Sequence, residues 1–152
     1  MYPARNGRTK GDRNVLAQVA PIQSEQLFLA ADVGGTHVRI GLIRAERDAP
    51  LQVRAYATFR RADYAGLADI IEEFRAGLDG SARAGVVVIA SAGYPLLDGT
   101  VIAANLPWPL SPARIREQLQ LQAVHLVNDF EAVAHAVAHL DASEVQRVCG
   151  PE

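Results

Sequence analysis

Residues 27–43 read LFLAADVGGTHVRIGLI, and no other stretch constrains the fold as tightly. Two apolar runs, Leu27 to Ala31 and Val38 to Ile43, flank Asp32-Val33-Gly34-Gly35-Thr36. Each run has the length of a buried strand, and together they read as an antiparallel hairpin. The glycine pair is expected to turn the chain through positive φ, which glycine adopts without steric cost. Such a turn carries one carboxylate, two bare backbone units and a hydroxyl. N–H groups beside glycines can cradle phosphate oxygens. A carboxylate next to them can hold Mg2+ directly or through water, because magnesium prefers oxygen ligands and keeps several waters. An ordinary hairpin with a well-formed turn is the other reading of the same residues. Neither G-x-G-x-x-G nor G-x-x-x-x-G-K-[ST] occurs, so dinucleotide-fingerprint and P-loop readings fall away.

Beyond the hairpin, Arg44 to Pro50 is a polar turn. Leu51 to Phe59 places Val53, Ala55, Ala57 and Phe59 in alternation, the pattern of a third antiparallel strand. From Asp63 to Leu78 the apolar residues Leu67, Ile70, Ile71, Phe74 and Leu78 recur at helical spacing. Asp69, Glu72, Glu73 and Arg75 line the opposite, solvated face, and Gly77 and Gly80 close the helix region. Gly85 to Ser91 is apolar without alternation, which suits a central strand covered on both sides. Ser91-Ala92-Gly93-Tyr94-Pro95 breaks it and reads as a strand-to-loop exit. Asp98-Gly99 suggests a hairpin turn before a short strand, Thr100 to Ala104. The prolines in Asn105-Leu106-Pro107-Trp108-Pro109-Leu110-Ser111 dictate a stiff, non-helical loop, with Trp108 read as tucked into the core.

Ser111-Pro112 provides an N-cap and a proline at the first helical position of a helix running to about Leu121, with Ile115 and Leu119 inward. Val124 to Val127 reads as the fifth strand of the sheet, ending at Asn128-Asp129. A helix follows with Phe130, Val133, Val137 and Leu140 in register. The Asn128-Asp129 pair therefore sits at the carboxyl end of a parallel strand, where open α/β sheets bind ligands. Asp129 is open to two readings there, a helix N-cap or a carboxylate tuned as a base.

Composition narrows the function classes. Hydrophobic residues make up 49% of the chain and charged residues 21%, ordinary for a globular protein. A net charge of -2 offers no basic field for nucleic acid and no polybasic membrane patch. With Cys149 alone, no disulfide framework or Cys-rich zinc site forms within the chain, which fits a cytoplasmic protein. Residues 1–26 hold Arg5, Arg8, Lys10 and Arg13 but no apolar h-region and no membrane-length apolar run. They read as a flexible N-terminal extension. His135 and His139 lie four apart on one helix with no third ligand, so a solvated face is preferred to a metal site. His37 and His125 receive no catalytic role.

Asp32-x-Gly34-Gly35-Thr36-x-x-Arg39-x-Gly41-Leu42 resembles the first phosphate motif of the sugar kinase, actin and chaperone ATPase superfamily, and within it the bacterial glucokinases. Asn128-Asp129-Phe130-x-Ala132-x-Ala134 resembles their catalytic motif. The Asn105 to Trp108 segment is similar to one preceding a helix near the sugar pocket. The resemblance covers about residues 27 to 150. It implies a ribonuclease-H-like α/β domain: a mixed five-stranded sheet, three antiparallel then two parallel strands, with helices on both faces. It implies residues 27–140 as the small N-terminal domain and 141–152 as the start of a second, larger one that this chain does not contain. By the same resemblance ATP and Mg2+ are the cofactors. Ala31, Asp32, Val33, Gly34, Gly35 and Thr36 bind the nucleotide phosphates, Asp32 reaching Mg2+ through water. Asn128, Asp129 and Asn105 bind the sugar, and Asp129 is the catalytic base. The implied reaction is transfer from ATP to the 6-hydroxyl of glucose, with this chain alone an inactive fragment and a homodimer open for the full-length protein. A related hexose or amino-sugar kinase, or a non-catalytic sugar-sensing regulator of the same fold, are the alternatives. Residues 1–26 are too few for the DNA-binding module that a regulator needs.

Overall fold

The computed structural model describes residues 25–79, 84–103, 105–141, 143, 145–146 and 148–149. Residues 1–24, 80–83 and 104, and half of residues 141–152, lie outside the described residues, and the expectations for the N-terminal extension and Gly80 fall there. The element order is β1 (Gln26–Val33), β2 (His37–Ala45), β3 (Gln52–Arg60), α1 (Leu67–Ala76), β4 (Val86–Ser91), β5 (Tyr94–Pro95), β6 (Val101–Ile102), α2 (Pro112–Gln118), β7 (Ala123–Asn128) and α3 (Asp129–Val137).

Five strands form one mixed sheet in the order β3-β2-β1-β4-β7. The β1–β2 and β2–β3 pairs are antiparallel, and β4 and β7 run parallel to β1. This is the expected arrangement. Alternation along each strand sends Leu29, Ala31 and Val33, then Val38, Ile40 and Leu42, then Val87 and Ile89, to one buried face. Leu67, Ile70, Ile71 and Phe74 of α1 and Ile115 of α2 close over that face. Arg75, which the helical pattern assigned to solvent, ties the two helices together by donating from Nη1 to the Leu119 carbonyl at 3.1 Å.

Several boundaries differ from the sequence reading for local reasons. The expected helix from Asp63 begins at Leu67, because a 3-10 turn, Arg61–Asp63, occupies the preceding residues. The alternation of the third strand fails at Val53, which is 64% exposed. There the β2–β3 register shifts: Leu42 faces Ala55 and Ile43 faces Val53, leaving Arg54 as a bulge residue. Ser111 accepts from the Arg114 N–H and Pro112 opens α2, as expected, but the helix ends at Gln118 and Gln120 turns the chain with φ 51°.

The Asp98-Gly99 turn is where it was expected, between β5 and a β6 reduced to Val101–Ile102. The Thr100 N–H donates to Asp98 Oδ1 at 2.9 Å and holds that carboxyl below its ordinary range. The turn is therefore firmest above the usual carboxylate range and loosens as pH falls through the lowered value. Gly93 is the residue this hairpin cannot replace. Its φ is +143°, and a Cβ there would stand 2.6 Å from Val101 Cγ1 and 2.7 Å from the Ile102 carbonyl. Gly93→Ala is expected to lower stability by about 1–3 kcal/mol in denaturant melts, the usual cost of forcing a side chain into a glycine-only conformation.

Candidate active site at the strand ends

The register places the two sequence motifs side by side. Val33 pairs with Ser91, and Ser91 pairs with Asn128. The carboxyl ends of β1, β4 and β7 are thus level, and Asn128 lies two strand spacings, about 10 Å, from Val33. Ser91 is buried between them and donates to the Val33 carbonyl at 3.4 Å.

The glycine turn differs from its expected conformation. Neither Gly34 nor Gly35 adopts a φ in the left-handed region. Space, not backbone angle, is what glycine supplies here. A Cβ on Gly35 would lie 3.3 Å from Asn105 Nδ2 and 3.4 Å from Asn105 Cβ, so the Asn105 side chain roofs the turn. The Gly34 N–H donates to the His37 carbonyl at 3.0 Å and closes the turn on itself. The N–H groups of Gly35 and Thr36 have no protein acceptor among the described residues. Two adjacent unspent donors beside a carboxylate make an anion cradle.

Ala31 and Val33 are buried, so their side chains build the core and only their backbone belongs to this end of the sheet. Asp32, on the alternate face, is exposed and pairs with its cross-strand partner Arg39, Oδ2 to Nη1, at 2.9 Å. At the surface such a pair adds little stability, but it pins the carboxylate at the strand end. Among the described residues no group of three His, Cys, Asp or Glu is gathered to cage a metal. One half-exposed carboxylate fits a hydrated magnesium brought in on phosphates, the usual habit of that ion.

At β7 the helix cap is Asn128, not Asp129. Asn128 Oδ1 accepts from the N–H groups of Phe130 at 2.9 Å and Glu131 at 3.4 Å. Its amide nitrogen has no acceptor among the described residues. Asp129 is the first residue of α3 and is half-buried, with Oδ1 accepting from the Phe130 N–H at 2.9 Å. Oδ2 has no partner among the described residues. Helix α3 touches β4 and β7 but buries none of its residues. The side chains expected in register, Phe130, Val133, Val137 and Leu140, are 82%, 60%, 59% and 47% exposed. Trp108 packs against the core as expected, half-buried.

A model of the glucokinase family matches residues 29–152. The chain belongs to the glucokinase family. It is 48% identical over 126 residues to a glucokinase-like protein of Xylella fastidiosa, covering 82% of this chain and 37% of that protein. It is 38% identical over 125 residues to the glucokinase of Zymomonas mobilis, covering 82% and 38%. The chain thus spans little more than a third of the length of these glucokinase-family relatives. Its fold matches the crystal structure of a glucokinase from an Antarctic psychrotroph with a TM-score of 0.68 at 28% identity, over 78% of this chain and 37% of that one. It also matches a glucokinase from Streptomyces griseus solved with glucose and AMPPNP, with a TM-score of 0.55 at 26% identity, over 71% and 35%.

One residue at this site went unnoticed in the sequence. Arg61 donates its backbone N–H to the Thr36 carbonyl at 3.0 Å and Nη1 to the Asn105 carbonyl at 2.9 Å. It lies 44 residues from Asn105, so no local pattern announces the contact.

The sugar contact that the resemblance implies for Asn128 can be separated from its cap. Asn128→Ser keeps a capping oxygen but removes the amide donor. Sugar KM is expected to rise roughly 3- to 10-fold, the worth of one neutral hydrogen bond, with the melting temperature unchanged. Kinetics and a thermal melt on the same preparation check both halves.

Proposed function

We propose that this chain forms one wall of the catalytic cleft of an ATP-dependent hexose kinase acting on the 6-hydroxyl of glucose or a closely similar hexose. The observation that carries the reading is the strand-end alignment of the glycine turn with Asn128-Asp129. Family membership and the glucose and AMPPNP complex of a structural relative support donor and acceptor. The small domain is residues 27–140, and the rest of the cleft comes from residues beyond this chain. By itself the chain is then inactive.

In this scheme the free N–H groups of Gly35 and Thr36 receive the phosphate oxygens of the transferring end of ATP. Asp32 sits beside them to hold a water of the metal's shell, Arg39 fixing its position. Magnesium, when bound with the nucleotide, supplies neutralisation of phosphate charge. Asn128 and Asn105 bind sugar hydroxyls and orient the 6-oxygen. Asp129 accepts the proton that the 6-hydroxyl loses as its oxygen bonds to the γ-phosphorus and ADP departs. The chemistry is then mostly positioning and charge compensation, as is general for phosphoryl transfer.

A coupled kinase assay on the full-length gene product, run across glucose, mannose, fructose and amino sugars, tests the proposal. Sugar-dependent ADP formation with glucose or a near relative preferred is expected. Efficient turnover of an amino sugar alone would move the assignment to another hexose, and none with any sugar would remove the catalytic reading.

A further inference from the structure

We infer that Arg61 is a positioning residue that locks the Asn105 loop onto the phosphate turn and so sets sugar against nucleotide. The inference rests on the hexose-kinase reading above. Arg61 stands at the end of β3, just past Arg60, whose partner across the ladder is His37. It therefore emerges beside the residues that follow the glycines. From there it bridges two segments far apart in sequence. Its N–H holds the Thr36 carbonyl, and its guanidinium holds the Asn105 carbonyl. The Asn105 side chain in turn lies on Gly35. Thr36, Arg61, Asn105 and Gly35 form a closed ring of contacts around the cradle.

The chemistry suits arginine. A planar guanidinium on a long stem reaches the loop and gives a charge-assisted bond to a carbonyl, about twice as strong as a neutral one. Arg61 is half-buried, and its Nε is buried with no partner among the described residues. The side chain is thus packed in place instead of sampling solvent. What it fixes is a backbone carbonyl, so its effect on the sugar is exerted through the Asn105 side chain.

The test has two arms. In the full-length gene product, Arg61→Met keeps the stem and removes the donors. Sugar KM is expected to rise about tenfold, the loss of one charge-assisted bond, with Mg·ATP KM changing less than about threefold. In an Asn105→Ala background, Arg61→Met is expected to add nothing to the sugar KM, because no side chain remains to be positioned. Arg61→Lys should recover part of the loss. Independent, multiplicative effects of the Arg61 and Asn105 substitutions would overturn the inference, as would equal rises in both KM values. The second arm needs no turnover. Trp108 is the sole tryptophan and lies three residues beyond Asn105 in the same loop. In this 152-residue chain, Arg61→Met is expected to raise acrylamide quenching of Trp108 about twofold, with far-UV circular dichroism unchanged, as a half-buried indole gains solvent access. Unaltered quenching in the folded variant would overturn the positioning role whatever the catalytic outcome. An unsubstituted protein without sugar kinase activity would instead overturn the underlying functional reading, and the quenching result would still decide whether Arg61 holds the loop.

Discussion

Asp129→Asn in the full-length gene product is expected to cut kcat by at least ~10²-fold, the lower range for a positioned general base, while sugar KM changes only a few-fold. The asymmetry follows from the geometry. Asparagine matches aspartate in shape and can still accept the Phe130 N–H that Asp129 Oδ1 now receives. It can also hydrogen-bond a hydroxyl. What it cannot do is take a proton. Because Asn128, not Asp129, caps α3, the substitution leaves the helix start intact and the melting temperature near its original value. Steady-state kinetics with a thermal melt as control decide the matter. Turnover within a few-fold of the parent would show that Asp129 is not the base.

Gly35→Val is expected to lower kcat/KM for Mg·ATP by about 10²-fold, comparable to removing one preorganised N–H donor from a charged transition state. The cause is crowding. A Cβ alone would stand 3.3 Å from Asn105 Nδ2, and the two methyls of valine need room the roof does not leave. A small retreat of the Asn105 side chain cannot make that room, so the backbone of the turn itself must shift, which spoils the alignment of the Gly35 and Thr36 donors. Gly35→Ala separates space from conformation. With φ outside the left-handed region, alanine meets no backbone penalty, and the exposed Asn105 side chain can retreat by a few tenths of an ångström. A mild defect is therefore expected for alanine and a severe one for valine. Equal damage from both would return the explanation to backbone angle.

Much of the fold was legible because it is written in short-range patterns. The apolar runs of β1 and β2 and the helical spacing of Leu67, Ile70, Ile71 and Phe74 are packing signals and supply the core as they read, whereas β4, read as covered on both faces, alternates between buried and half-buried residues. The Ser111-Pro112 start of α2 and the Asp98-Gly99 turn are local hydrogen-bond chemistry and were equally plain. The misreadings arise where distant segments decide. Gly34-Gly35 is a turn by composition, but the side chain that crowds Gly35 is Asn105, 70 residues further on. Arg54 became a bulge through its pairing with β2, which a period-two pattern cannot register. On α3 the pattern identified an apolar stripe correctly, but periodicity says only that such a face wants cover, not that these residues supply it. Arg61 was invisible for the same reason as Gly35: its partners are assembled by the fold.

The site residues divide in the same way. Asp32, Gly35, Thr36, Asn128 and Asp129 stood out through two motifs, and the parallel register β1–β4–β7 sets those motifs level. Asn105, suggested by the resemblance of its loop, lies against the glycine turn, a neighbour the sequence did not indicate.

The most direct measurement is phosphorus NMR of the reaction mixture when the full-length gene product is given Mg·ATP and glucose. Transfer at the strand ends with Asp129 as base predicts that ATP is consumed in step with a new phosphomonoester on the glucose 6-oxygen, and that Asp129→Asn suppresses this signal. ATP loss yielding only inorganic phosphate, a phosphate on another sugar oxygen, or unchanged product formation by Asp129→Asn would contradict it.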